Sequence, residues 1–309
     1  MSRIDTFLEL VVKQDGSDLH MVSGNPPRIR MHGDLVAVKY RELSAAETMS
    51  LVSEIMPEPV RVQFEERCSI DFAYAVDSLA RFRVNVYRHV RGVGAVFRVI
   101  PSATKTMEQL ALPSVLATFC QQKKGLVLCT GPTGSGKSTS LAALIDHVNS
   151  TRKGHILTIE DPIEFVHRNK LSLVSQREVG FDTVSFAAAL HSALREDPNV
   201  ILVGEMRDLE TIALAVTAAE TGILVFGTLH TNGAAATVDR IVNVFPPGEQ
   251  GRIRSMLSTS LLGVVSQQLV RRSDGKGRVA ALEILVNNPA VANILRDGKT
   301  EQIATAIQS

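Results

Sequence analysis

Residues 131–139 read Gly131-Pro132-Thr133-Gly134-Ser135-Gly136-Lys137-Ser138-Thr139 and match the pattern G-x-x-x-x-G-K-[ST] of phosphate-binding loops. The glycines lack Cβ atoms, so the backbone N–H groups can turn inward and form a cradle for an anion. Lys137 can then reach the β- and γ-phosphates, and the hydroxyl of Ser138 can ligate Mg²⁺. All nine residues are therefore predicted to contact a bound nucleoside triphosphate.

The flanking sequence supports this prediction. Residues 126–129 form a compact apolar run, which is typical of a buried parallel strand. Residues 140–145 continue with helical spacing, so the phosphates are expected to lie at the N-terminus of a helix.

Composition limits the classes of function. Of the 309 residues, 45% are hydrophobic, as in a soluble globular protein. The 33 basic side chains nearly balance the 32 acidic ones, and this balance of charge disfavours a nucleic-acid partner. Cys68, Cys120 and Cys129 are scattered and form no C-x-x-C pair. No apolar run approaches the roughly 18 residues of a membrane span. We expect a cytoplasmic protein without direct membrane insertion, which meets a membrane only through a partner.

Two domains are predicted. Residues 1–100 contain turn clusters and alternating apolar strands, as in a small α+β domain, and the polar segment 101–112 is interpreted as a linker. From residue 113 to 309, apolar strands at 126–129, 155–159, 200–203 and 223–226 alternate with helical segments. This alternation predicts an open α/β fold with a parallel sheet. A helix over 249–265, a hairpin of 269–272 with 278–286 and a final helix over 290–296 follow.

Ionisable or polar groups follow each predicted strand of the second domain, where open α/β sheets bind their ligands. Glu205, directly after an apolar strand, fits the carboxylate that holds Mg²⁺ together with Ser138. Glu160 is the preferred group for polarising the attacking water, although the residues leave the two glutamate roles exchangeable. His230 fits a γ-phosphate sensor. Phosphoryl transfer needs this kind of positioning and charge stabilisation.

Four segments, at 131–139, 159–164, 201–208 and 227–232, resemble the signature segments of the bacterial type II/type IV secretion ATPases. Within that superfamily the whole chain is similar to the retraction ATPases of type IV pili. The resemblance implies ATP hydrolysis with ATP and Mg²⁺, a RecA-like ATPase domain and a PAS-like N-terminal domain. It also implies a homo-hexameric ring that drives pilus retraction and twitching motility from the cytoplasmic side of the inner membrane, seated against a membrane platform protein.

The same resemblance implies arginines that complete the site across domains or subunits, and Arg83, Arg98, Arg195 and Arg207 match those positions. An arginine that reaches the transferring phosphoryl group accelerates the reaction by about 10³–10⁵.

Other functions stay open at this point. A pilus extension or type II secretion ATPase and a retraction-accessory paralogue are the nearest alternatives. A nucleotide-dependent scaffold with little turnover belongs to a different class. Relatives usually continue beyond the position of Ser309, so we expect a trimmed chain or a short paralogue.

Overall fold

The computed structural model describes residues 2–31, 33–76, 79–100, 104–273 and 277–308. The chain divides into two compact units, Met1–Ser102 and Ala103–Ser309. Positions 101–103 of the predicted linker lie outside the described residues. Met107, further along the same segment, is buried in a core of the second unit. The domain boundaries at 100 and 113 stay predictions.

Among its described residues, the first unit has a six-stranded antiparallel sheet and three helices. Its helices are α1 (Asp5–Lys13), α2 (Ala45–Ser53) and α3 (Glu58–Arg67), and its strands are β1 (Asp18–Val22), β2 (Arg28–Met31), β3 (Asp34–Ala37), β4 (Ser69–Val76), β5 (Ala80–His89) and β6 (Gly92–Ile100). The strand order is β3-β2-β1-β6-β5-β4. Alternate strand positions such as Phe82 and Val84 share one core with apolar side chains of all three helices. The α+β prediction is confirmed.

The second unit alternates strands and helices. Its strands are β7 (Gly125–Thr130), β8 (His155–Glu160), β9 (Leu173–Glu178), β10 (Val200–Val203), β11 (Leu224–Leu229), β12 (Leu261–Arg271) and β13 (Arg278–Val286). Its helices are α4 (Val115–Cys120), α5 (Lys137–Thr151), α6 (Phe186–Ala193), α7 (Leu209–Thr221), α8 (Ala234–Val244), α9 (Pro247–Ser260), α10 (Pro289–Asp297) and α11 (Ile303–Gln308), with a short 3-10 turn at Thr300–Gln302.

The seven strands form one sheet in the order β13-β12-β7-β11-β10-β8-β9. Neighbouring strands from β12 to β9 are parallel, and β13 is antiparallel to β12. Successive residues of β7 point to opposite faces. Leu126 and Leu128 join a core with α6 to α11, whereas Val127 and Cys129 join another with α4 and α5. The predicted α/β class is confirmed, with a sheet covered on both faces.

One prediction about local structure was wrong, and one strand was not predicted. The helix predicted over 249–265 ends at Ser260, because Leu261 begins β12, which pairs with β7 in parallel. Residues 261–265 are apolar or glycine, and such a run reads alike as a buried strand or a buried helix. Strand β9 was missed because it is a polar edge strand whose side chains give no apolar alternation.

Within the residues that the structure describes, no helix is both long enough and apolar enough to cross a lipid bilayer.

Candidate active site

The order of the central strands brings the predicted functional groups to one edge of the sheet. Strands β7, β11, β10 and β8 are consecutive neighbours and run parallel. At their carboxyl ends they deliver, respectively, the phosphate-binding loop, His230, Glu205 and Glu160. This edge is where open α/β sheets bind ligands.

The phosphate-binding loop adopts a backbone that glycine permits. Gly131, Gly134 and Gly136 have φ angles of +136°, +78° and +89°, in the region that other residues rarely adopt. The loop runs directly into α5, whose first residue is Lys137. A 15-residue helix directs unpaired backbone N–H groups and the positive end of its dipole toward the loop. Pro132, Thr133, Gly134 and Ser138 are exposed, and Thr139 is half-buried.

Lys137 lies inside this loop. Its side chain is 9% exposed, and Nζ donates to the carbonyl oxygens of Gly131 at 2.8 Å and Pro132 at 3.0 Å. Burial lowers the pKa of its ammonium group, and the nearby Glu205 carboxylate opposes that shift. The hydroxyl of Ser135 is buried and has no hydrogen-bond partner among the described residues. A cationic lysine and an unsatisfied hydroxyl inside a glycine loop fit a bound phosphate chain.

Glu205 joins two basic side chains at the next strand ends. Its Oε1 is 3.2 Å from Nε2 of His230, and Arg207 Nη2 donates to its Oε2. The hydrogen bond from Arg207 is the main factor that lowers the pKa of Glu205. The carboxylate is therefore ionised at neutral pH, as a ligand for a hydrated cation must be.

Glu160 occupies a different environment at the end of β8. Thr158 Oγ1 donates to its Oε1 at 2.6 Å, and Gln176 Nε2 donates to the same oxygen at 3.1 Å. Burial nevertheless raises the pKa of this carboxyl. Glu160, Glu205 and Ser138 line one cavity, so two glutamates with oppositely shifted pKa values face the start of α5. Such pairs are typical of acid–base sites.

Comparison with known proteins agrees with this geometry. The family described as Type II/IV secretion system protein matches residues 1–306. The chain belongs to this family.

Among members of the Type II/IV secretion system family, the chain is 54% identical to the Type IV pilus retractation ATPase PilT of Pseudomonas aeruginosa, over 99% of this chain and 89% of that protein. It is 42% identical to the Type IV pilus ATPase PilU of the same organism, over 97% of this chain and 78% of that protein. A solved structure, "Crystal Structure of the Pilus Retraction Motor PilT and Bound ADP", superposes with a TM-score of 0.95. It is 45% identical and covers 100% of this chain and 90% of that one.

The four arginines singled out from the family pattern have different surroundings. Only Arg207, of these four, contacts Glu205. Arg195 donates to Nδ1 of His191 at 3.1 Å, on the exposed side of α6. In the first unit, Arg83 Nε is 3.6 Å from Asp71 and Arg98 Nε is 2.9 Å from Asp18. The roles of all four arginines in this member of the family stay predictions.

Gln176 was not among the predicted site residues. Its Nε2 donates to Glu160 and to the carbonyl oxygen of Phe165 at 2.9 Å, and its Oε1 accepts from the backbone N–H of His167 at 2.7 Å. One amide thereby fixes both the glutamate and the loop behind it. The residue lies on the edge strand β9, which was itself not predicted, and the family resemblance that runs through residues 176–180 gave it no role in the site.

The raised pKa of Glu160 predicts a pH-dependent cost to stability. A carboxyl whose folded-state pKa exceeds its unfolded value stabilises the protein below the unfolded pKa, and that contribution is lost as pH rises through the folded pKa. We therefore expect Glu160→Gln, which cannot ionise, to unfold at a higher urea concentration than the wild type at about pH 8. The difference should shrink toward about pH 5.

Glu210→Gln provides the matched control, because Glu210 is exposed at the first turn of α7 and should show no such trend. A stability difference between Glu160→Gln and the wild type that is the same at both pH values contradicts this account of Glu160.

Proposed function

We propose that this chain is an ATPase that powers the retraction of type IV pili, and thereby twitching motility. The observation that carries the proposal is its 54% identity, over nearly its whole length, to a protein named for that activity. The strand ends that hold the phosphate-binding loop, Glu205 and His230 lie side by side, which supplies the chemistry that such a motor needs.

The loop from Gly131 to Thr139 would hold ATP, with Lys137 and the N-terminus of α5 neutralising its phosphates. Ser138 and Glu205 would hold Mg²⁺, whose charge would offset that of the phosphates. Described residues include no cluster of three or more His, Cys, Asp or Glu side chains arranged to hold a metal. A nucleotide-bound Mg²⁺ does not need one, because phosphates and waters fill most of its positions.

We propose different roles for the two glutamates, according to the opposite directions of their pKa shifts. Glu160, with its raised pKa, is the better base for polarising the attacking water, because a base is most effective when its pKa lies near the working pH. Glu205, kept ionised by Arg207, is the better group for holding the cation. His230, whose Nε2 lies 3.2 Å from Oε1 of Glu205, would report whether a γ-phosphate is present.

Assembly is the second part of the proposal. A homo-hexameric ring would let Arg83, Arg98, Arg195 or Arg207 approach a triphosphate held by another domain or subunit. The ring would lie in the cytoplasm, peripheral to the inner membrane, and act on a platform protein of the pilus machine. This part rests on membership of the family.

Deletion of the gene with counting of surface pili tests the direction of the motor. Loss of a retraction ATPase should leave excess surface pili and abolish twitching, because pilin is added but not withdrawn. Complementation with the wild-type gene should restore the normal number of pili and twitching. The Lys137→Ala gene should restore neither.

Three other outcomes point elsewhere. Cells without pili would indicate an extension ATPase, and normal pili with impaired secretion a type II secretion ATPase. Retention of most twitching would favour a retraction-accessory paralogue.

A further inference from the structure

Strand β12 lies directly behind the phosphate-binding loop, and Gln267 is its point of contact. This residue is only 2% exposed. Its Nε2 donates to the carbonyl oxygen of Ser135 at 2.7 Å, and its Oε1 accepts from the hydroxyl of Ser140 at 2.8 Å. One buried amide therefore uses its nitrogen on the loop and its oxygen on α5.

Two glycines of the loop allow this close approach. A Cβ atom at Gly131 would lie 2.2 Å from the backbone oxygen of Gln267, and a Cβ atom at Gly136 would lie 2.7 Å from its Nε2. Both distances are far below contact between non-bonded atoms. The glycines therefore serve a second purpose beyond their φ angles, since they let the loop pack onto β12.

The hydrogen bond to Ser135 fixes the orientation of a peptide group. A trans peptide is planar, so the N–H of Gly136 points opposite to the C=O of Ser135. Because that carbonyl is directed at Gln267, the N–H of Gly136 is directed away from β12. N–H groups that face into a phosphate-binding loop form its anion cradle.

We propose that Gln267 is a positioning residue that holds the 135–136 peptide with its N–H toward the phosphate chain, and so sets the affinity of the site for the β- and γ-phosphates. The inference rests on the proposed ATPase function. It assigns to β12, outside all four signature segments, a part in nucleotide binding.

The test replaces Gln267 with methionine, which has a similar unbranched shape but no amide to make the two hydrogen bonds. Gln268→Met is the matched control, because Gln268 is the next residue of β12 and is exposed. Dissociation constants for ATP, ADP and AMP are measured with Mg²⁺ for the wild type and both variants, together with KM and kcat for ATP hydrolysis.

We expect Gln267→Met to bind ATP and ADP about tenfold more weakly, as for a lost buried hydrogen bond, and AMP within about twofold of the wild type. KM should rise by about the same factor while kcat changes by less than about threefold. Gln268→Met should match the wild type. A merely structural role would instead lower the fraction of active protein, with reduced kcat and unchanged KM.

A folded Gln267→Met that binds ATP and ADP as tightly as the wild type overturns the inference. If that variant does not fold, Ser140→Ala decides, because it removes the bond that holds the amide oxygen. Ser140→Ala should weaken the binding of ATP and ADP by about threefold and leave the binding of AMP unchanged. Equal weakening for ATP, ADP and AMP, or no weakening for any of them, would refute the inference. A wild-type protein that fails to bind ATP contradicts the proposed function itself.

Discussion

Lys137→Ala is expected to lower the affinity for ATP by at least about 100-fold and to reduce hydrolysis below detection. The ammonium group is held inside the loop by the carbonyl oxygens of Gly131 and Pro132. It is therefore a positive charge held in the loop that would bind the phosphates. Alanine leaves no other charge in its place. The low exposure of the group keeps water from screening this charge.

Thermal unfolding with and without Mg-ATP measures this loss. A ligand at 100 times its dissociation constant adds about 2.7 kcal/mol to the stability of the folded state. The wild type should therefore melt at a higher temperature with nucleotide, and Lys137→Ala should not. Without nucleotide the two proteins should melt at similar temperatures.

Lys123→Ala is the control, since Lys123 is an exposed lysine shortly before β7. It should keep the nucleotide-dependent stabilisation. A Lys137→Ala protein that is stabilised by ATP as strongly as the wild type would exclude this loop as the nucleotide site.

Glu205→Gln is expected to bind ATP but to hydrolyse it at least about tenfold, and up to about 10³-fold, more slowly. The amide keeps the size of the side chain but removes the charge that the cation and the two neighbouring basic groups require. Arg207 and the 3.2 Å contact to His230 would then face a neutral group. The expected signature is a dissociation constant for ATP within about threefold of the wild type and a much lower kcat.

This variant also separates the enzyme from a nucleotide-dependent scaffold. A scaffold has little turnover to lose, so the wild type and Glu205→Gln would hydrolyse ATP at equally low rates. Glu210→Gln, an exposed glutamate five residues along the chain, should retain the wild-type rate. Equal rates in all three proteins that are well above the rate without protein would remove Glu205 from the active site.

Several features of the fold were predictable because their causes are local. The spacing of Ser44 and Glu47 is that of a capping box, and both of its hydrogen bonds are formed at the start of α2. Asp208 caps α7 and Gly222 ends it, again as their residue types indicate. Strand β10 has the predicted bounds because Val200–Val203 is a short apolar run between polar flanks.

The elements that were predicted wrongly or missed depend on the strands with which they pair. The helix predicted through residue 265 ends before β12, because β12 pairs with β7. Strand β7 lies more than a hundred residues earlier in the chain. The edge strand β9 exists because β8 pairs with it, although its own side chains carry no strand pattern.

By itself the sequence determined the phosphate-binding loop, the candidate groups Glu160, Glu205 and His230, and the α/β class, because glycine content, hydrophobic period and strand-end chemistry are properties of short segments. Only the tertiary structure decided the strand order that gathers these groups at one edge and the supporting amides of Gln176 and Gln267. Hydrogen bonds between residues 16 and 132 positions apart leave no periodicity in a sequence. They arise when packing brings the two strands beside the site.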